Sequence, residues 1–201
     1  MLQNMSRKLV LYILVAVAIA GIWFFSTGFG SARSEWRVAP YLQFGTDSSM
    51  VVMWENHNET SGFVRFSQSE MGADYPALDR VVHSNGTRML HEVVLTGLEP
   101  NTKYFWSAVS VTADGDTLAS EPSTFRTTAG ESSAFAFVLY GDSQSNPDTW
   151  GRVAELGWLE RPNFALLAGD LVGTGGNINH WLEEFFPPAH VLMERVPLYT
   201  A

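Results

Sequence analysis

Hydrophobic and polar positions alternate along the first half of the chain. Residues 50–54, Met-Val-Val-Met-Trp, sit in the period-two pattern of a half-buried strand, and similar short runs recur until residue 128. Turn signals separate these runs, and Asn85-Gly86 in particular predicts a tight hairpin turn. Because no helical pattern lies between the runs, the spacing predicts an all-β sandwich over residues 36–128.

The pattern changes after a small, polar linker at residues 128–133. Two continuous apolar runs, residues 135–140 and 164–168, predict strands that are buried on both faces of a parallel sheet. Helical patterns follow each of them, and a third short apolar run begins at residue 196. This strand–helix rhythm predicts an α/β arrangement over residues 134–201.

The N-terminus has the pattern of an export segment. Arg7 and Lys8 precede an uncharged run over residues 9–25, and small residues follow at Gly30 and Ala32. Two interpretations stay open for residues 1–32: a cleavable secretory signal, or an uncleaved helix that anchors the protein in a membrane. Either one predicts an extracytoplasmic location for the rest of the chain, and the second makes the membrane a partner.

Composition excludes several classes of function. The 201 residues contain no cysteine, which excludes disulfides, zinc–thiolate sites and a thiol nucleophile. The formal net charge is −9 and no basic stripe is present, so nucleic-acid binding is not expected. A hydrophobic content of 46% is ample for a packed core, which argues against global disorder.

Two Gly-Asp pairs close the apolar runs of the second half. Asp142 follows the first run and Asp170 follows the second. Ligands of parallel sheets gather outside the carboxyl ends of the strands, so neighbouring strands would bring both carboxylates to one edge. Carboxylates there suit hard or borderline metal ions, and a metal pair is a common catalyst of phosphoryl displacement. The alternative is that both aspartates only form turns or cap helices.

Two resemblances sharpen these predictions. Leu98, Pro100, Thr102 and Tyr104, together with Trp54 in an early strand, resemble a fibronectin type III domain. Tyr104 stands at the start of a late strand, where such sandwiches use a tyrosine corner. The resemblance implies a spacer or docking module.

Gly141-Asp142-Ser-Gln144 and Gly169-Asp170-Leu-Val resemble the first two motifs of the calcineurin-like metallophosphoesterases. With a fibronectin-like domain ahead of them, the chain is similar to the purple acid phosphatase branch. The resemblance implies two divalent or trivalent metal ions (Fe, Zn or Mn) and hydrolysis of phosphate esters by a metal-bound hydroxide. Asp170 aligns with the bridging carboxylate and Asp142 with a ligand of the first metal. Gln144 stands where many members have His, as a weaker ligand or a hydrogen-bonding neighbour.

Further departures concern the rest of the site. Gly173 stands where the purple enzymes have an iron-binding Tyr, so the violet chromophore is not expected. Residues 197–201 resemble the lead-in to the family's Gly-Asn-His motif, so the catalytic residues and remaining ligands are expected beyond Ala201. Asn177 lies in the loop after Asp170, and a turn role is favoured for it over contact with substrate. His180 follows that loop, and a structural role is favoured for it over lining the site.

The predicted fold class is therefore multidomain: an N-terminal membrane or signal helix, an all-β fibronectin III-like sandwich, and the first part of an α/β metallophosphoesterase domain. The predicted function is that of the N-terminal portion of an exported metal-dependent phosphoesterase, C-terminally truncated and inactive alone. The alternative is a non-enzymatic, membrane-anchored adhesion or docking protein with a degenerate phosphoesterase domain.

Overall fold

Strands dominate the part of the chain that the computed structural model describes, which is residues 36–68, 77–130 and 134–201. The strands are β1 (Trp36–Gln43), β2 (Ser49–Ser67), β3 (Arg80–His83), β4 (Arg88–Thr96), β5 (Lys103–Val111), β6 (Thr117–Ala119), β7 (Ser123–Arg126), β8 (Phe137–Tyr140), β9 (Phe164–Leu167) and β10 (Leu198–Thr200). The helices are α1 (Pro147–Leu159), the single turn α2 (Ile178–His180) and α3 (Phe186–Met193), with a π-helical segment, Trp181–Phe185, between α2 and α3.

The long strand β2 organises the sandwich because it takes part in both sheets. Its first half pairs with β1 and β4, and its second half pairs with β3 and β5. Strand β5 in turn pairs with β6 and β7, and every one of these pairs is antiparallel. The sandwich predicted from alternation is thereby confirmed.

Large aromatic side chains fill the space between the two sheets. Trp54, Phe66, Tyr104 and Trp106 are fully buried there. The Tyr104 hydroxyl accepts a hydrogen bond from the backbone N–H of Glu99 at 2.8 Å. The predicted tyrosine corner is confirmed, and it gives the buried phenol the polar partner that it needs.

The turn at Asn85-Gly86 does not join a hairpin, and that prediction is wrong. Strand β3 pairs with the second half of β2, whereas β4 pairs with the first half. The chain therefore crosses from one sheet to the other at this turn. Gly86 has a φ of +73°, so the local turn chemistry is as predicted, but it does not determine which strand becomes the hydrogen-bonding neighbour.

A cluster of buried polar side chains surrounds His91, next to β2. His91 is fully buried and stacks on Trp54, with 4.6 Å between ring centroids. Its Nε2 lies 2.9 Å from the Thr60 hydroxyl and its Nδ1 lies 2.8 Å from the Ser84 hydroxyl. Both ring nitrogens thus have partners, which is the condition for burying an imidazole without a large penalty. Burial, followed by the charge of Arg88, lowers the pKa of His91.

The second half of the chain adds a small parallel sheet in the order β10-β9-β8. Helix α1 leads from β8 to β9. The N-cap is Asn146, whose side chain accepts a hydrogen bond from the Thr149 backbone N–H at 3.1 Å, and Pro147 occupies the first turn. Trp150, Ala154 and Gly157 form the buried face of this helix.

The core under this sheet includes residues of the sandwich. Val38 and Tyr41 of β1 pack with buried residues of α1, β9, α3 and β10, and the Tyr41 ring lies 5.3 Å from that of Phe186. The Tyr199 hydroxyl of β10 also donates to the Gly45 carbonyl at 3.1 Å. Consistently, Glu35–Ala201 forms one compact unit. The sandwich and the parallel strands therefore share a core.

The predicted fold class is wrong. The described residues are mostly β, only α1 and α3 exceed a single turn, and no helix among these residues is long and apolar enough to cross a membrane. The helix predicted within residues 1–32 lies outside the described residues. The strands β8, β9 and β10 have only three or four residues each and depend on β1 for part of their core. The limits predicted for the domains stay predictions.

Gly157 should tolerate no side chain, because a Cβ there would overlap the Tyr140 hydroxyl and lie 2.9 Å from its Cζ. We expect Gly157→Ala to lower the free energy of unfolding by about 1–3 kcal/mol through overpacking between α1 and β8. Gly151→Ala is the matched control: its Cβ would make an ordinary contact with Pro188, and alanine favours the helix by up to about 1 kcal/mol. Urea denaturation of both variants measures the difference; equal stabilities would contradict this packing.

Because the folded-state pKa of His91 lies below its ordinary 6.5, the unfolded chain takes up a proton that the folded protein resists. The contribution of His91 to stability is therefore complete above about pH 6.5 and is lost as the pH falls towards the lowered folded pKa. We expect the unfolding free energy to drop between about pH 7.5 and about pH 5.5, and His91→Gln to reduce that drop. His83→Gln, at an exposed histidine, should leave it unchanged. An identical pH slope in both variants would contradict the assignment.

Candidate metal centre

Asp142 and Asp170 follow β8 and β9, two adjacent parallel strands, and so lie at the same edge of the sheet. Both have left-handed backbone conformations, with φ of +57° and +50°. Gly169 has a φ of +76°, whereas Gly141 is not in this region, so the first turn is made by the aspartate itself. Non-glycine residues pay for such a conformation, and aspartate is among the few that adopt it readily.

The two loops that carry these aspartates are bonded to each other. The Gln144 backbone N–H donates to the Asp170 carbonyl at 3.1 Å. The buried Ser143 hydroxyl donates to the Leu171 carbonyl at 2.9 Å. Both bonds lie within two residues of an aspartate, so the two aspartates cannot separate without breaking them.

Neither carboxylate has a structural partner among the described residues. Asp142 and Asp170 are both exposed, and no hydrogen bond or ion pair of their side chains is found within residues 36–68, 77–130 and 134–201. An Asx turn or a helix cap would require the side-chain oxygen to accept a backbone N–H. The cap of α1 is instead Asn146. The two side chains therefore neither cap a helix nor close an Asx turn, although both backbones adopt turn conformations, and the assignment as metal ligands stays a prediction.

The other predicted positions have mixed outcomes. Gln144 belongs to the loop after Asp142 and is half-buried, and its backbone N–H makes the bond to Asp170 just described. Asn177 caps the turn α2 by accepting the Asn179 N–H at 3.1 Å, a structural role. His180 lies with its Nδ1 3.3 Å from Glu184 Oε1, and its ring lies close to Gly173.

Sequence reasoning missed Glu184. Its Oε2 accepts hydrogen bonds from the backbone N–H of Ser145 at 3.1 Å and from that of Gly173 at 2.9 Å. These bonds, in the order Gly173 then Ser145, lower the pKa of the Glu184 carboxyl, and the nearby His180 adds to the effect. Glu184 follows the aspartates by 42 and 14 residues in a helical pattern, so no local signal marks it.

The described residues supply the two carboxylates but no complete metal cage. No group of three or more His, Asp or Glu side chains close enough to hold a metal ion is found among them. Two exposed, unpartnered carboxylates on fixed loops fit part of a ligand set for a hard or borderline cation.

Comparison with known proteins gives a family match for the sandwich. The sequence of residues 38–127 matches the family described as "Purple acid Phosphatase, N-terminal domain". The sandwich is therefore similar to a purple acid phosphatase N-terminal domain. The resemblance predicted from the sequence is thereby confirmed, and it indicates a phosphoesterase family member. In sequence, the chain matches no curated protein.

Solved structures extend the likeness beyond the N-terminal domain. A purple acid phosphatase from yellow lupin (Lupinus luteus) seeds is 21% identical, with a TM-score of 0.63, over 81% of this chain and 34% of that protein. The structure of PhoD is 11% identical, with a TM-score of 0.58, over 82% of this chain and 38% of that protein. At these identities the likeness shows a shared fold. The chain spans little more than a third of the length of either structure.

The predicted ligands Asp142, Asp170 and Gln144 stay predictions, as does the identity of the metals. Purple acid phosphatase relatives use binuclear metal centres. Asp142 and Asp170 follow adjacent parallel strands, C-terminal to the residues that match the purple acid phosphatase N-terminal domain.

If the carboxylate of Asp142 has no role in the fold, only its backbone conformation matters for stability. We expect Asp142→Gly to be more stable than Asp142→Ala by about 1 kcal/mol, because alanine resists a φ of +57° and glycine does not. The free energies of unfolding of the metal-free variants, from urea denaturation, provide the measurement. Equal, large losses in both variants would mean that the carboxylate itself holds the turn.

Proposed function

We propose that the chain is the N-terminal portion of an exported, metal-dependent phosphoesterase whose metal ions are held in part by Asp142 and Asp170. The observation that carries the proposal is the pair of exposed, unpartnered carboxylates at one sheet edge, on two loops that are hydrogen-bonded to each other. The purple acid phosphatase N-terminal domain in front of them supports phosphate esters as the substrate class.

Each residue at this edge has a defined task under the proposal. Asp142 and Asp170 would hold the ions through anionic oxygen atoms, Asp170 as the shared ligand and Asp142 as a ligand of one ion, as the family resemblance implies. Gln144 offers a neutral amide oxygen, which is a weaker ligand than the imidazole common at this position. Bound there, a metal pair supplies Lewis-acid activation of water and of the phosphoryl oxygens. The hydrogen bonds between the loops keep the two carboxylates in place before any ion binds.

The exposed apolar face of the parallel sheet supports the proposal that further residues complete the domain. Phe137 and Leu139 of β8 are 50% and 64% exposed, although their apolar run predicts burial on both faces. The Phe137 and Phe164 rings stack 5.3 Å apart, and Phe135 stacks on Phe164 at 5.9 Å. Parallel sheets are covered on both sides in stable domains, so this aromatic surface suits a further layer of the same polypeptide.

Export is the remaining part of the proposal. The basic pair Arg7-Lys8 followed by the uncharged run over residues 9–25 supports a secretory signal. Export also agrees with the absence of cysteine from the sequence, since no free thiol would be exposed to oxidation.

Binding of Mn²⁺ to the 201-residue chain tests the metal assignment directly. We expect Asp142→Asn and Asp170→Asn each to weaken Mn²⁺ binding by at least about tenfold, because each removes a charged ligand. Asp148→Asn is the matched control, since Asp148 is exposed in the first turn of α1 and should leave the affinity unchanged. Electron paramagnetic resonance of free Mn²⁺ measures all four proteins.

The chain alone should not turn over p-nitrophenyl phosphate, because its described residues hold no complete metal cage. Hydrolysis by the wild-type 201-residue chain would contradict this expectation, and its persistence in Asp142→Asn and Asp170→Asn would contradict the metal assignment. Mn²⁺ affinity that is the same in all four proteins would do so too, and would favour the docking-protein alternative.

A further inference from the structure

Glu184 connects the two loops of the candidate metal centre through a single oxygen atom. Its Oε2 accepts the backbone N–H of Ser145 and that of Gly173. Ser145 is three residues after Asp142, and Gly173 is three residues after Asp170. One carboxylate oxygen therefore binds the equivalent position of each loop, at 3.1 and 2.9 Å.

The two direct bonds between the loops and the Glu184 bridge lie on successive residues. The direct bonds involve Ser143 and Gln144, and the bridge involves the next residue, Ser145. Ser145 has a φ of +63°, so this loop contains a second residue in the left-handed region after Asp142. Such conformations persist where surrounding bonds fix them, and a charged acceptor makes stronger hydrogen bonds than a neutral one.

The surroundings of Glu184 fit this bridging role. The segment that carries it, Trp181–Phe185, is π-helical, and Phe185 anchors it in the shared core. His180 Nδ1 lies 3.3 Å from Glu184 Oε1, the oxygen that does not bridge. A Cβ at Gly173 would lie 3.1 Å from that same Nδ1, so the absence of a side chain at Gly173 lets the loop approach.

We propose that Glu184 is a positioning residue that fixes the spacing of Asp142 and Asp170 and thereby sets the affinity of the metal centre. This inference rests on the proposed function. Glu184 does not itself need to touch a metal ion, since its bridging oxygen is occupied by two backbone N–H groups. It acts on the two aspartates through the backbones of their loops, as hydrogen-bonding groups behind metal ligands do in other proteins.

The test compares Glu184→Ala, Glu184→Gln and the control Glu183→Ala, an exposed neighbour on the same segment, in the 201-residue chain. We expect Glu184→Ala to weaken Mn²⁺ binding by about tenfold or more, as loss of such a group does elsewhere. It should also speed amide hydrogen exchange at Ser145 and Gly173. Glu184→Gln keeps an oxygen acceptor and should restore most of both properties, and Glu183→Ala should change neither.

Affinity is measured well below the melting temperature of each variant, so that a purely structural role, which lowers stability alone, would leave it unaltered. Wild-type affinity in Glu184→Ala would overturn the proposal. If the wild-type chain itself binds no Mn²⁺, the metal assignment fails in this chain, and amide exchange then decides the bridge: unchanged exchange at Ser145 and Gly173 in Glu184→Ala would refute it.

Discussion

The structure depends on the core that β1 shares with the parallel sheet. Three strands of three or four residues, joined by helices, bury too little apolar surface to be stable alone. Val38 and Tyr41 of β1 belong to that core, together with buried residues of α1, α3, β9 and β10. The same strand β1 contributes Leu42 to the sandwich core. Strand β1 therefore contributes side chains to both cores, and it connects the sheet that carries the aspartates to the sandwich.

The candidate centre combines backbone strain with unpaired charge, and the stability of the shared core must offset the free-energy cost of both. Asp142, Ser145 and Asp170 all have positive φ, each at a cost of about 1–2 kcal/mol for a residue with a side chain. Two like charges are also held at the same edge without a partner among the described residues. Hydrogen bonds between the loops, together with the Glu184 bridge, hold this arrangement. Strain and unpaired charge of this kind are typical of functional sites, since folding alone gives no reason to keep them.

Local signals in the sequence were sufficient for the elements and for the two aspartates. Alternation predicts the strands of the sandwich, and Tyr104 predicts its tyrosine corner. The two apolar runs that end in Gly-Asp predict that Asp142 and Asp170 follow strands at one edge of a sheet. What failed depends on long-range pairing. Asn85-Gly86 turns as its residues require, but β3 and β4 then join different halves of β2. Burial of Phe137 and Leu139 was expected from their apolar run, and it depends on what covers the sheet.

The role of Glu184 could not be predicted from the sequence for the same reason. Glu184 is 39 residues from Ser145, and the pattern of its own segment indicates only a helix.

The sandwich acts on the site more directly than a spacer or docking module would. The Tyr199 hydroxyl of β10 bonds to the Gly45 carbonyl, and the Ser123 hydroxyl of β7 bonds to the Glu194 carbonyl after α3. Strand β10 in turn pairs with β9, and the Gly169 N–H, next to Asp170, bonds to the Ala201 carbonyl at 3.1 Å. A continuous set of hydrogen bonds thus runs from the sandwich to the second aspartate. A module that only spaced or docked would need no such connection, so the sandwich is better understood as the support for the sheet edge that carries Asp142 and Asp170.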